Sequence, residues 1–135
     1  MKLRRTAAAG LITTATLAGG MVTAGPASAA SYNGSCGSGY SVSHSVSSTT
    51  GTVFVTYNSS NGYNCAVAIA NRRYSTAVQM SVWIRLSSNH QKYKSEDGKF
   101  HSYAGPVFLY GKNSCVDYRG MIAGAGAGAN KVACG

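Results

Sequence analysis

Any chemistry in this chain must come from few groups: three acidic residues, three histidines and four cysteines among 135 residues. The acids are Glu96, Asp97 and Asp117, and the histidines are His44, His90 and His101. Acid–base catalysis needs a titratable side chain held against a reacting atom. A glycosidase needs two carboxylates facing across a cleft, and only Asp117 with Glu96 or Asp97 offers such a pair. Glu96 and Asp97 lie in a polar, turn-like stretch where solvation is the ordinary outcome. No GxSxG sequence supports a Ser–His–Asp set, and serines are frequent enough for accidental combinations. A ribonuclease built on His44 or His101 with the basic residues has no motif behind it. The expectation is a protein that is not an enzyme, with no catalytic residue to name.

The cysteines Cys36, Cys65, Cys115 and Cys134 include no CxxC pair and have no adjacent histidine, which argues against a metal site; no cofactor is expected. An even number of cysteines in an exported chain of this size reads instead as disulfides. Of the three pairings, Cys36–Cys65 with Cys115–Cys134 is favoured. Each bond closes a modest loop and ties a terminus to the neighbouring β segment.

The aromatic residues are the more informative feature. The chain has nine tyrosines and a single tryptophan, Trp83. Tyrosine and tryptophan give large contact area with little entropy loss and suit grooved or flat binding surfaces. Trp83 stands beside Gln79, Ser81 and Arg85, so Trp83, Arg85, Tyr93, Lys92 and Lys94 form a candidate ligand surface. The plainer alternative is that Trp83 covers the second face of a sandwich, and tyrosines are common in strands for packing alone. The runs Lys92-Tyr93-Lys94 and Arg72-Arg73-Tyr74 resemble in outline a single-strand nucleic-acid platform.

Residues 1–29 read as a cleavable secretory signal. Lys2, Arg4 and Arg5 form a positive start, residues 6–23 are uncharged and mostly small or apolar, and Gly25-Pro26 precedes the small-residue pattern Ala27-Ser28-Ala29. The apolar stretch is too short and too weakly hydrophobic for a membrane span. Residues 30–135 are then a single domain of roughly 100 residues. Export makes nucleic acid an unexpected partner. Lys2, Arg4 and Arg5 fall in the signal, so residues 30–135 keep +6 of the net charge of +9; this favours anionic neighbours such as wall polymers, nucleic acid or acidic lipid surfaces, although the positive residues are scattered and also serve solubility. Nothing in the sequence sets the oligomeric state.

The elements that must position these residues are short and extended. Residues 41–48 alternate, with Val42, His44 and Val46 on one face. Residues 52–57 are β-branched and aromatic, and Asn61-Gly62 marks a hairpin turn leading to 63–70. There Cys65, Val67 and Ile69 oppose Ala66, Ala68 and Ala70. The clearest strand is 77–86, where Val78, Met80, Val82, Ile84 and Leu86 alternate with Gln79, Ser81, Trp83 and Arg85. Residues 87–99 read as an exposed polar loop. Residues 100–104 and 106–110 follow as two pieces split by Gly105-Pro106, and 115–122 as the last substantial strand. The glycine–alanine stretch 123–129 reads as a flexible loop before 131–134. No helical period is sustained, so the fold class is all-β: a small antiparallel sandwich or barrel of seven to eight short strands.

Several blocks look familiar together: residues 32–40 (YNGSCGSGY), 51–62 (GTVFVTYNSSNG), Asn64-Cys65, 102–107 (SYAGPV), 115–117 (CVD) and the ending Cys134-Gly135. In these the chain resembles the spore-associated protein A family of filamentous, spore-forming actinobacteria. The resemblance implies an exported protein found with the spore or hyphal surface, and supplies no catalytic residues. The leading expectation is a secreted, non-enzymatic surface protein. The alternatives are an extracellular carbohydrate-binding module-like domain using Trp83, or a small secreted protease inhibitor with a reactive segment in 87–99.

Overall fold

A computed structural model describes residues 29–135; the expected signal sequence therefore lies outside the described residues, apart from Ala29. The described chain forms eight strands: β1 (Ser41–Ser47), β2 (Gly51–Asn58), β3 (Tyr63–Ala70), β4 (Val78–Leu86), β5 (Asn89–Phe100), β6 (Tyr103–Tyr110), β7 (Val116–Ile122) and β8 (Ala125–Val132). They make two four-stranded sheets, ordered β1-β2-β3-β6 and β5-β4-β7-β8, with every pairing antiparallel. Strand β6 lies over β4 and β5, β3 over β4 and β7, and β1 over β8. The molecule is a sandwich, not a barrel.

The core follows from strand period. On β4, Met80, Val82 and Ile84 point inward and are fully buried. They share one cluster with Val53 and Val55 of β2, Leu109 of β6, and Tyr118 and Ile122 of β7. Strand β3 contributes its small face, Ala66, Ala68 and Ala70. The sheets approach closely where Gly120 of β7 meets β2 and β3: a Cβ on Gly120 would lie 2.7 Å from Val53 Cγ2 and 2.9 Å from the Ala68 methyl. Small side chains on β3 and β7 make room for large ones on β4, as dense interior packing requires.

The larger residues of β3 consequently face outward, and the N-terminal segment covers them. Val67 and Ile69 form a second cluster with Phe54 of β2, under Ala30 and Tyr32. Tyr32 packs 5.8 Å from Phe54 between ring centroids, and the Ala30 amide donates to Asn71 Oδ1 at 3.1 Å. The Cys36–Cys65 disulfide fixes this strap to β3, and Cys115–Cys134 ties the C-terminal segment to the start of β7. Both expected pairings are present. Covering an apolar side chain of this size is worth about 2 kcal/mol, so the strap completes the sandwich instead of decorating it.

Four expectations need correction. The segment 87–99 is not a loop: β5 pairs with β4 from Phe100 opposite Val78 to Tyr93 opposite Arg85. It shows no apolar alternation because it is an edge strand, exposed along most of its length. That removes the free segment on which the inhibitor reading rested. The glycine–alanine stretch is likewise strand β8. Ala127 is buried in the core, while Gly126 and Gly128 pair with Met121 and Arg119; a Cβ on Gly128 would stand 2.3 Å from the Tyr118 carbonyl oxygen. Gly105-Pro106 does not split its strand, because β6 absorbs it in a register irregularity opposite β3, on a sheet edge where proline is tolerated. In β1, an irregularity between Val42 and His44 leaves His44 and Val46 opposite the inward Val55 and Val53, and puts Val42 opposite Thr56.

The close approach at Gly120 can be tested. Gly120→Ala is expected to destabilise the protein by about 2 kcal/mol through overpacking. Gly126→Ala should cost markedly less, because its neighbours stand farther off: the flexible side chains of Met121 and Arg119 at 3.1 and 3.3 Å and the Gly120 carbonyl oxygen at 3.3 Å. Urea denaturation of the two variants measures the difference.

Candidate functional site

With Met80, Val82 and Ile84 committed to the core, Trp83 and Arg85 must project from the opposite face of β4. Register decides their company. Trp83 stands between Ser95 of β5 and Arg119 of β7, and Arg85 stands between Tyr93 and Asp117. The Trp83 and Tyr93 rings are 6.4 Å apart, and the Arg85 guanidinium lies 5.2 Å from the Trp83 ring centroid. Trp83 is half-buried and Tyr93 exposed. Beyond Arg119 the sheet carries only Gly126 and Gly128 on this side, so the face is low toward β8.

Of the residues expected at a ligand surface, Trp83, Arg85 and Tyr93 therefore meet on one face. Lys94 does not join them: it pairs with Ile84, an inward residue, and so belongs to the other side of β5, where the edge leaves it exposed. Lys92 is also exposed on this strand and makes no side-chain hydrogen bond or ion pair among the described residues. Sequence reasoning missed Arg119. Strand period alone separates it from Tyr118 and Gly120, but only the β4–β7 register places it beside Trp83.

Arg85 is positioned from below by Asp117. Its Nε donates to Asp117 Oδ2 at 3.0 Å. Ser87 Oγ and the Lys131 amide donate to Oδ1 at 2.6 and 2.9 Å, and His90 Nε2 lies 3.5 Å from Oδ2. Burial alone would raise the Asp117 pKa. The hydrogen bonds from Ser87, Lys131 and Arg85, with the Arg85 charge, outweigh it and hold the carboxyl below its ordinary value. Asp117 is thus a structural anion whose oxygens are engaged, joining β4, the β4–β5 turn and the end of β8.

It is also badly placed for glycosidase chemistry. Asp97 pairs with Ser81 and Asp117 with Arg85, on strands flanking β4. The two are roughly 13 Å apart along the strand direction alone, beyond the roughly 9.5 Å that an inverting pair spans. Glu96 pairs with Val82, on the other side of the sheet. The histidines have separate partners. Besides His90, His44 Nδ1 is 2.7 Å from the Tyr118 hydroxyl, and His101 Nδ1 is 2.7 Å from the Tyr74 carbonyl oxygen, to which it donates. Burial pushes the Tyr118 phenol up to about 12, so it remains protonated, and the tautomer of His44 sets which of the two donates. Among the described residues, no group of three histidine, cysteine or acidic side chains is placed to hold a metal ion.

Fold and site together define a small two-disulfide antiparallel β-sandwich that presents one aromatic and cationic sheet face. The chain is 45% identical over 116 residues to Spore-associated protein A of Streptomyces coelicolor, an alignment spanning 84% of this chain and 71% of that protein. It belongs to the spore-associated protein A family. No family model matches the chain, and no solved structure does.

Two titrations follow. Asp117 has a depressed folded-state pKa, so its contribution is present above its ordinary value near 3.8 and is lost as pH falls through the lower folded value. Asp117→Asn should cost about 3 kcal/mol at pH 7, and urea denaturation near pH 2 should show the gap to the parent closing. Tyr118 behaves oppositely. Its contribution is intact below its ordinary value of 10.0 and is lost as pH rises toward about 12. Alkaline unfolding should therefore be shallower in Tyr118→Phe than in the parent.

Proposed function

We propose that this chain is an exported, non-enzymatic protein of the spore or hyphal surface, held there by contacts between the Trp83 face and anionic wall or envelope polymers. The carrying observation is the arrangement on that face: Trp83 with a guanidinium 5.2 Å from its ring, Tyr93 on one side and Arg119 paired on the other. An aromatic surface flanked by cations suits a polymer that offers both sugar rings and negative charge. The name of the Streptomyces coelicolor relative supports spore association. The signal-like residues 1–29 support export, and the two disulfides suit an oxidising compartment. The net charge of +6 on residues 30–135 supports an anionic partner.

A second reading, favoured by the Trp83–Tyr93 pair, is a module for neutral carbohydrate. The two differ in salt dependence, since exposed charge attraction is screened over a Debye length of about 8 Å at physiological ionic strength. Fractionation of a sporulating culture should find the protein on the surface and released by salt washes; protein found only free in the medium overturns the proposal. On insoluble peptidoglycan, Trp83→Ala should weaken retention about tenfold, the equivalent of about 1.4 kcal/mol. Arg119→Gln should weaken it mainly at low salt. Retention that ignores salt but still needs Trp83 favours the neutral module.

A further inference from the structure

At the end of the sandwich farther from Asp117, the β3–β4 connection and the β5–β6 turn are clasped together. The Tyr74 amide donates to the His101 carbonyl at 2.8 Å, while His101 Nδ1 donates to the Tyr74 carbonyl at 2.7 Å. The Ala70 amide also donates to the Ser102 carbonyl at 2.9 Å. Beside this clasp is a cavity of about 320 Å³ walled by Arg73, Glu96, Phe100, His101, Ser102 and Tyr103, with Gly105 at its edge. That volume is at the small end of ligand sites.

We infer that this cavity binds a single sugar unit carrying an anionic substituent. Three kinds of group line it, and each restricts the ligand. Glu96 Oε1 accepts from the Gly105 amide at 3.3 Å, which orients the carboxylate. Its second oxygen has no hydrogen-bond partner among the described residues. With Nδ1 committed to Tyr74, the neutral His101 ring has Nε2 as its remaining acceptor. Two acceptors require donors on the ligand, which hydroxyl groups provide. Arg73 reaches only the Ser102 hydroxyl, at 3.5 Å, and forms no ion pair with Glu96 or any other described acid. Its guanidinium fork is free for a carboxylate or phosphate. Phe100 and Tyr103 supply aromatic surface for the C–H face of a ring. A hydroxylated ring bearing one acidic group meets all three demands, whereas a bare anion leaves Glu96 and His101 unused and a neutral sugar leaves Arg73 unused.

The site is separate from the Trp83 face and does not rest on it. The test is titration of the full domain with glucuronate, glucose 6-phosphate, glucose, inorganic phosphate and alanine, followed by the Gly105 amide and His101 ring signals in NMR spectra. Either anionic sugar, or both, should saturate these signals, and their order separates a carboxylate from a phosphate preference. Glucose, phosphate and alanine should bind at least tenfold more weakly. Arg73→Gln, an exposed change, should weaken anionic-sugar binding at least tenfold and reduce the preference over glucose. Glu96→Gln should weaken both sugars, with the Gly105 amide signal reporting whether the cavity keeps its shape. Trp83→Ala should leave this binding unchanged while weakening retention on insoluble polymer, so the two sites fail or succeed independently. Equal binding of phosphate alone, equal binding of glucose or alanine, or indifference to Arg73→Gln overturns the inference.

Discussion

The packing of β4 on the alanine face of β3 governs most of the architecture. A strand has two faces, and once Met80, Val82 and Ile84 occupy the space between the sheets, the outward direction of Trp83 and Arg85 is no longer free. The same contact turns Val67 and Ile69 away from the main core, which makes the N-terminal strap necessary. It also demands Gly120 on β7, because a side chain there would enter the space of Val53 and Ala68. Core, strap and exposed aromatic face are three results of one steric decision.

Asp117 gives that face its order. A charge removed from water is costly unless several partners replace the solvent, and Asp117 collects donors from β4, the β4–β5 turn and β8. Arg85, held by this carboxylate, is kept near the Trp83 ring instead of sweeping through solvent. A ligand meeting the face thus finds one cation already positioned, with a smaller entropy cost for binding.

What the sequence made legible was governed by local pattern. Strand β4 was plain because its alternation is complete, and the disulfide partners were legible from loop length and position. Strand β5 was hidden because an edge strand exposed along most of its length needs no apolar period. Strand β8 was hidden for another reason: alanine and glycine carry the alternation in a form too small to register as hydrophobic. The face of Trp83 was readable residue by residue, yet Arg119 became its neighbour only through the register between β4 and β7. The Arg73–Glu96–His101 cavity was invisible, because its walls come from a connection, a strand and a turn that meet only in three dimensions.

Strand β5 has a further importance for a protein crowded against its own copies. A strand of 12 residues with one edge unpaired is a template for pairing with a second chain, a hazard that grows with local density. Here the strand carries Lys92, Lys94 and Lys99, and charged edge residues, lysine above all, are one of the ways in which natural sheets discourage such pairing. Lys92 and Lys94, expected at a ligand surface, thus have a second use, as a guard against one sheet fusing with another.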